Sequence, residues 1–131
     1  MTTFTIDTHQ RIELLEITAQ VRSAIRASGI SEGLAMVYTP HTTAAITINE
    51  NADPDVAGDL TAALDRLVPL HGPYRHAEGN SAAHIQSSLV GVSETVIVSA
   101  GAPQLGTWQG IWFCEFDGPR RRQVQVKVLG T

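Results

Sequence analysis

The segment TWQGIWFCEFDGPRRRQVQVKVL at residues 107–129 holds the clearest signal for the architecture of this chain. Its first part is rich in aromatic and β-branched residues, which is typical of strands, and Asp117-Gly118-Pro119 then marks a turn. Beyond the turn, Val124, Val126 and Val128 alternate with polar residues, which is the period-two pattern of a strand with one buried face. The C-terminal third is therefore predicted to be nearly all strand.

The rest of the chain mixes short strand patterns with three helical patterns. Further strands are predicted over residues 4–7, 12–17, 34–38, 43–49 and 94–99. The helices are predicted over residues 19–28, from Asp53-Pro54 to before Pro69, and from Asn80 or Ser81 to before Gly91. Because strands and helices do not alternate as strict β-α-β units, the pattern favours an α+β fold built on antiparallel sheet, with residues 1–131 as a single domain.

The helix boundaries rest on residues that suit capping positions. Thr18 is a predicted N-cap of the first helix and Gly29 a predicted residue just past its end. Asp53 is predicted to cap the second helix, with Pro54 in its first turn. Five apolar residues of the second helix recur at helical spacing and are predicted to form one buried stripe: Val56, Leu60, Ala63, Leu64 and Leu67.

Composition narrows the class of protein. The 131 residues include 9 Lys or Arg and 13 Asp or Glu, a net charge of −4, which gives no basic field for nucleic-acid binding. Cys114 is the one cysteine and lies in an apolar run, so it is interpreted as a small buried hydrophobic residue. The N-terminus lacks a targeting pattern and no apolar stretch is long enough to span a membrane. We expect a soluble, cytoplasmic protein with no nucleic-acid or membrane partner.

Three of the five histidines lie beside elements that would fix a side chain. His41 lies between two predicted strands, His76 lies in an irregular loop, and His84 lies in the first turn of the third helix. The positive end of that helix disfavours a charged imidazole. Three neutral imidazoles with one open position are a common zinc arrangement, whereas hydrogen-bonded surface or loop histidines are the simpler interpretation. The spacing alone leaves both open.

The stretch NENADPD at residues 49–55 is the densest polar segment. Its carboxylates could act as a general base or as oxygen ligands of Mg²⁺. Capping and the helix dipole account for Asp53 and Asp55 equally well. Glu50 has no such structural role and follows a strand that begins next to His41, so it is the acidic candidate.

Two other segments could recognise a ligand. The indole of Trp108 and the neighbouring polar side chains could orient a ring or a phosphate, although burial of Trp108 in the core explains it as well. The three arginines at residues 120–122 could bind an anion if they face a cleft, or form a solvated turn.

Three separated motifs carry a resemblance to a known family. They are HTTAAITINEN at residues 41–51, Gly79-Asn80 with Ala83-His84, and LGTWQ at residues 105–109 leading to the segment 117–120. In this order they resemble the YjbQ-type family of secondary thiamine-phosphate synthases, over essentially the whole chain. Where that family often has Asp-Gly-Asn, this chain has Glu78-Gly79-Asn80. The resemblance therefore assigns no role to Glu78.

The resemblance implies a barrel-like antiparallel β-sandwich with a few helices, a homotrimer, and a weak thiamine-phosphate synthase activity. That reaction joins a pyrimidine pyrophosphate to a thiazole phosphate and releases pyrophosphate, so the partners are small phosphorylated heterocycles. The residues in the matched motifs that we assign to catalysis are His41, Glu50 and His84. Those assigned to substrate binding are Asn49, Asn80, Thr107, Trp108 and Arg120. Those assigned to a divalent metal, Zn or Mg, are His41, His76 and His84.

Two other classes of function fit the same residues. A metal-dependent hydrolase would use the histidines with a water-activating carboxylate to release phosphate from esters. A non-catalytic trimer would bind a metal or a small molecule without turnover.

Overall fold

Eight strands and three helices make up the fold, in a computed structural model that describes all residues 1–131. The strands are β1 Thr2–Asp7, β2 Glu13–Glu16, β3 Gly33–Tyr38, β4 Ala44–Glu50, β5 Ser93–Ser99, β6 Ala102–Pro103, β7 Gln109–Glu115 and β8 Arg121–Gly130. The helices are α1 Thr18–Ser28, α2 Pro54–Leu67 and α3 Ser81–Val90. The predicted elements are all present, and only the two-residue β6 has no counterpart in the sequence analysis.

The strands form two curled antiparallel sheets. The larger sheet has the order β1-β8-β3-β5-β6 and the smaller one the order β2-β7-β4. Every strand pair is antiparallel. The predicted α+β fold, a barrel-like antiparallel sandwich with a few helices, is confirmed.

Two apolar cores hold the layers together. The main core lies between the sheets and α1, and it includes Ile25, Val37, Ile46, Phe113 and Val124. A smaller core joins the β2-β7-β4 sheet to α2 and α3 through Ala45, Ala83, Cys114 and Phe116. The thiol of Cys114 is buried, and this burial raises its pKa to about 12, so it behaves as the predicted small hydrophobic residue.

Three of the four predicted capping details are correct, including Pro54 in the first turn of α2, and one is wrong. Gly29 adopts a left-handed conformation at φ +72°, and the Asp53 carboxylate accepts the N–H of Asp55 at 2.9 Å. Thr18 is not the N-cap but the first residue of α1. Its hydroxyl accepts the N–H of Ile111 and donates to the Glu16 carboxylate. Ile111 is a buried residue of β7, and its N–H needs that acceptor.

The predicted buried stripe of α2 is also wrong. Leu67 is 74% exposed and no residue of α2 is fully buried. Val56, Leu60, Ala63 and Leu64 are only half-buried. The reason is that the small three-stranded sheet offers α2 a narrow surface, on the side of β2. None of the three helices has the length and apolar character that crossing a membrane requires.

Candidate functional site

Strand β4 divides the predicted site residues between two ends of the smaller sheet. His41 precedes this strand and Glu50 is its last residue. Seven residues of extended strand span about 20 Å. Within one chain Glu50 is therefore not beside His41, so the assignment of both residues to one catalytic site is wrong for a single chain. The sequence pattern locates β4 correctly. The length of this strand is what separates Glu50 from His41, and the sequence prediction does not take that length into account.

At one end of the sheet, His41 and His84 line the same cleft, which has a volume of about 700 Å³. The imidazole of His76 contacts that of His84 edge to face, with ring centres 5.5 Å apart. Three histidines from three separated segments thus come together at this end. We call this cavity the histidine cleft; its lining residues are Tyr38, Thr39, Pro40, His41, Thr42, His84, Ser87, Ser88, Gly91 and Val92.

The position of His41 follows from how the β3–β8 ladder ends. Strand β3 stops at Tyr38 because Pro40 cannot continue the ladder. Beyond that point, side chains replace the missing backbone partners of β8. The Thr39 hydroxyl donates to the carbonyl of Gln123 at 2.9 Å, and the Nε2 atom of His41 accepts the N–H of Gln123 at 2.9 Å.

His41 is held in its neutral form. Because Nε2 accepts a hydrogen bond, the proton of the neutral ring is on Nδ1. Partial burial lowers the pKa of His41, and the positive charges of Arg122 and Arg120 lower it further, against the opposing effect of Glu115. The ring is therefore a hydrogen-bond donor through Nδ1 at neutral pH.

A buried ion pair lies beneath the histidine cleft. Arg122 and Glu115 are 2% and 0% exposed, and the guanidinium contacts both carboxylate oxygens. Arg122 also donates to the Thr43 hydroxyl at 2.8 Å, and the Thr8 hydroxyl donates to Glu115 at 2.7 Å. These contacts fix Thr43, which precedes β4, and Arg122, the second residue of β8, near His41.

The Glu115 carboxyl is charged despite its complete burial. Burial alone would raise its pKa, but hydrogen bonds from Arg122, Asp117 and Thr8 outweigh that effect and lower the pKa. Sequence reasoning missed this pair. The available signal was Glu115 itself, a charged residue inside the apolar run of residues 111–116.

The three adjacent arginines have three different environments. Arg121 forms a surface pair with Asp7, whose pKa this contact lowers. Arg122 is buried, and Arg120 is half-exposed and donates to Asp117 through its Nε and Nη2 atoms. Alternation along β8 explains the split between Arg121 and Arg122, since neighbouring strand residues point to opposite faces.

Asn80 and Arg120 share one acceptor. The amide nitrogen of Asn80 donates to Asp117 at 2.8 Å, on the same oxygen that Arg120 contacts at 3.1 Å. Asn80 precedes α3, so this contact fixes the start of the helix that carries His84. Both predicted substrate-binding residues thus lie at the histidine end, where they brace the loop of residues 117–120.

A sequence model of one protein family, described as UPF0047 protein YjbQ-like, matches residues 2–131. The chain belongs to the UPF0047 YjbQ-like family. A UPF0047 protein of Methanocaldococcus jannaschii is 55% identical over 127 residues, which cover 97% of this chain and 92% of that protein. The YugU protein of Bacillus subtilis is 53% identical and covers 98% of both chains.

Solved structures of similar proteins share the fold. A family member from Clostridium acetobutylicum is 50% identical with a TM-score of 0.97, over 98% of this chain and all of that one. A conserved hypothetical protein from Thermus thermophilus is 40% identical with a TM-score of 0.91, over 98% and 100% of the two chains. These names state no activity, substrate or cofactor.

The remaining predicted residues of this YjbQ-like chain lie at the opposite end of the smaller sheet. Thr107 lines a second cavity of about 520 Å³ together with Glu16, Thr18, Arg22, Asn51 and Gln109, among others. Trp108 is 63% exposed, so its interpretation as a core residue is wrong. Asn49 accepts the N–H of Glu50 at 2.8 Å and so caps the end of β4. We call this region the tryptophan end.

The three-histidine metal set is not assembled within one YjbQ-like chain. No group of three His, Cys, Asp or Glu residues is placed to hold a metal ion. The Nε2 atom of His41 is already engaged by the backbone, and the nearest carboxylate to His76 is Glu78, at 3.8 Å. The donor set of a single chain therefore does not fit a three-histidine zinc site, which needs three nitrogens at about 2.0–2.1 Å from one ion.

Proposed function

We propose that this chain is a transferase for small phosphorylated heterocycles, with its active site in the histidine cleft. The specific reaction proposed is a weak, secondary thiamine-phosphate synthesis from a pyrimidine pyrophosphate and a thiazole phosphate. One observation carries the proposal: His41 and His84, from two separate motifs, line the same cleft. Arg120 supports it, because its charge acts on His41 and its guanidinium is half-exposed.

The chemistry requires stabilisation of a departing anion. A bond forms between the thiazole nitrogen and the pyrimidine methylene carbon, and the carbon–oxygen bond to pyrophosphate breaks. The bonding electrons leave with pyrophosphate, so negative charge develops on its oxygen. Donors placed at that oxygen before the reaction lower the barrier.

Three features of the histidine end suit such an anion. His41 is neutral and carries its proton on Nδ1, so it can donate a hydrogen bond to a phosphate oxygen. His84 is in the first turn of α3, and that turn contains no acidic residue to offset the helix dipole. Arg120 supplies positive charge. These are the roles we propose for the three side chains, with Asn80 as a positioning residue through Asp117.

The activity test compares matched histidine variants. Untagged protein is incubated with both substrates, and thiamine phosphate and pyrophosphate are measured by chromatography with mass detection. We expect product with the parent chain and with His71→Ala, an exposed histidine outside the cleft. We expect at least a tenfold loss in His84→Ala and His41→Ala, as is typical for a lost acid or oxyanion donor.

The other outcomes assign the protein to another class. Equal product from all four proteins would exclude the histidine cleft as the active centre. Phosphate release from one substrate alone would indicate a hydrolase, and ligand binding without turnover would indicate a binding protein.

We also propose that the chain forms a homotrimer. Four apolar side chains are exposed in a row on the outer face of the larger sheet: Leu34, Met36, Ile97 and Leu129. The strand register places Leu34 opposite both Ile97 and Leu129, so the row is continuous. An exposed apolar patch of this kind is typical of a protein–protein contact.

The test of the trimer is a mass measurement. Light scattering should give three times the 14.1 kDa chain mass, and Ile97→Lys should reduce the measured mass. A parent mass of one chain would contradict the trimer.

A further inference from the structure

The proposed substrates are rings that carry phosphate, so the cleft needs a feature that recognises a ring. From the sequence, Trp108 was the candidate for this role. The structure places it between Thr107 and Gln109, which line the second cavity at the tryptophan end, about 20 Å along the smaller sheet from His41. Within one chain, the indole of Trp108 cannot contact a ligand that His41 and His84 hold.

Tyr38 is the aromatic residue that can contact a ligand in the histidine cleft. It lines the histidine cleft together with His41 and His84, and it is the cleft's one aromatic residue besides these imidazoles. Tyr38 is 37% exposed and lies on the same outer face of β3 as Leu34 and Met36, at the end of the strand that borders the cleft.

The backbone holds Tyr38 rigidly. Strand β3 is the middle strand of the larger sheet, and Tyr38 is paired with Ser93 of β5 and with Gln125 of β8. The next residue, Thr39, donates its N–H to the carbonyl of Val92 at 2.9 Å. A ring on a strand that is fixed on both sides loses little conformational freedom when a ligand binds.

The rest of the lining divides by chemistry. Pro40 and Val92 add apolar surface next to Tyr38 along the chain and across the ladder. The histidines, Ser88 and Thr42 are polar. A ligand with a flat apolar ring and a charged phosphate matches both parts of this lining. A simple phosphate ester matches only the polar part.

We propose that Tyr38 is a specificity-determining residue of the histidine cleft, where its ring stacks on the planar heterocycle of a phosphorylated ligand. The inference rests on the proposed function and narrows its substrate class to aromatic heterocycles that carry a phosphate ester. Offset stacking between two rings contributes beyond the burial of their area. The cleft therefore prefers a ring-bearing phosphate to a phosphate of equal charge that lacks the ring.

Two ligands and two variants test this. Thiazole phosphate and ethyl phosphate share the phosphoethyl group and differ in the ring, and calorimetry measures the dissociation constant of each. Tyr38→Phe keeps the ring and removes the hydroxyl, and Tyr38→Leu keeps apolar bulk and removes the ring. We expect Tyr38→Leu to raise the dissociation constant of thiazole phosphate by about twofold to tenfold. The constant for Tyr38→Phe should stay close to that of the parent, and the constant for ethyl phosphate should be the same in all three proteins.

The alternative outcomes separate this inference from the proposed function. Equal affinity of the parent for both ligands, or equal weakening of both in Tyr38→Leu, overturns the stacking role and leaves the phosphate site in place. A parent chain that binds neither ligand overturns the proposed function and this inference with it. Light scattering on each variant checks that the assembly is unchanged, since Tyr38 adjoins the exposed row that contains Met36. A change of mass in Tyr38→Leu alone overturns the stacking role in favour of a contact between chains.

Discussion

The two ends of the smaller sheet differ in how their charged groups are held. At the histidine end, Arg122 and Glu115 are buried and locked to each other and to two threonine hydroxyls. At the tryptophan end, Trp108 is exposed, and the Glu16 carboxylate accepts hydrogen bonds from the neutral side chains of Thr18 and Asn51. Preorganised groups suit catalysis because they need not rearrange when charge develops. The contrast therefore favours the histidine end as the active centre and makes the tryptophan end the more adaptable surface.

The largest expected effect is the loss of the buried pair. Removing one partner leaves the other charge buried without compensation, so Arg122→Met or Glu115→Gln should lower the free energy of unfolding by about 3–5 kcal/mol. Urea unfolding followed by circular dichroism measures this. The double variant Arg122→Met/Glu115→Leu should recover much of the loss, since it buries no charge. Single variants as stable as the parent would show that the histidine end is not held by this pair.

Acid should weaken the same end. The pKa of Glu115 is lower in the folded chain than in the unfolded chain. Its contribution to stability is therefore complete above the unfolded value of about 4.3 and is lost as the pH falls through the folded pKa. Thermal unfolding between pH 6 and pH 3 should show a steeper decline for the parent than for the Arg122→Met/Glu115→Leu double variant. Parallel declines would contradict the assignment.

His41 should respond at higher pH. Its folded pKa lies below the ordinary value of about 6.5, so its neutral form is favoured by folding. The corresponding stability is complete above pH 6.5 and decreases as the pH falls from there to the folded pKa. Nuclear magnetic resonance of the imidazole should give a midpoint below 6.5, and a midpoint at or above 6.5 would contradict the partial burial of the ring beside Arg122.

Metal content sharpens the comparison in another way. The family resemblance implies a zinc or magnesium ion on His41, His76 and His84, whereas one chain does not assemble that set. Elemental analysis of untagged protein compares the parent with His41→Ala, His84→Ala and the control His71→Ala. Loss of metal from the first two variants alone would support the metal site and would require ligands to move or to come from another chain. Equal content in all four contradicts the prediction.

The smallest expected effect is at the tryptophan end. Trp108→Ala removes an exposed side chain, so the free energy of unfolding should change by less than about 0.5 kcal/mol. Turnover in the histidine cleft should be retained if each cleft is complete within one chain. A large loss of turnover with unchanged stability would indicate that the indole of one chain serves the cleft of another.

Local patterns predicted the elements well but not their neighbours. The alternation of Val124, Val126 and Val128 gave the buried face of β8, and Gly29 ended α1 as expected. Periodicity does not report pairing, however: β7 and β8 are consecutive in the chain but belong to different sheets. The partners of Glu115 and the separation of Glu50 from His41 depend on such pairing, so they were not predictable from spacing.

The contact between His41 and residue 123 has a consequence for sequence variation. The imidazole is oriented by a main-chain amide, and nineteen of the twenty amino acids offer that same group. A substitution at position 123 that keeps the backbone in place therefore leaves this hydrogen bond intact, and the Gln123 side chain is exposed. Proline alone has no amide proton. Gln123→Pro is therefore the one replacement at this position that removes the donor of the hydrogen bond to His41.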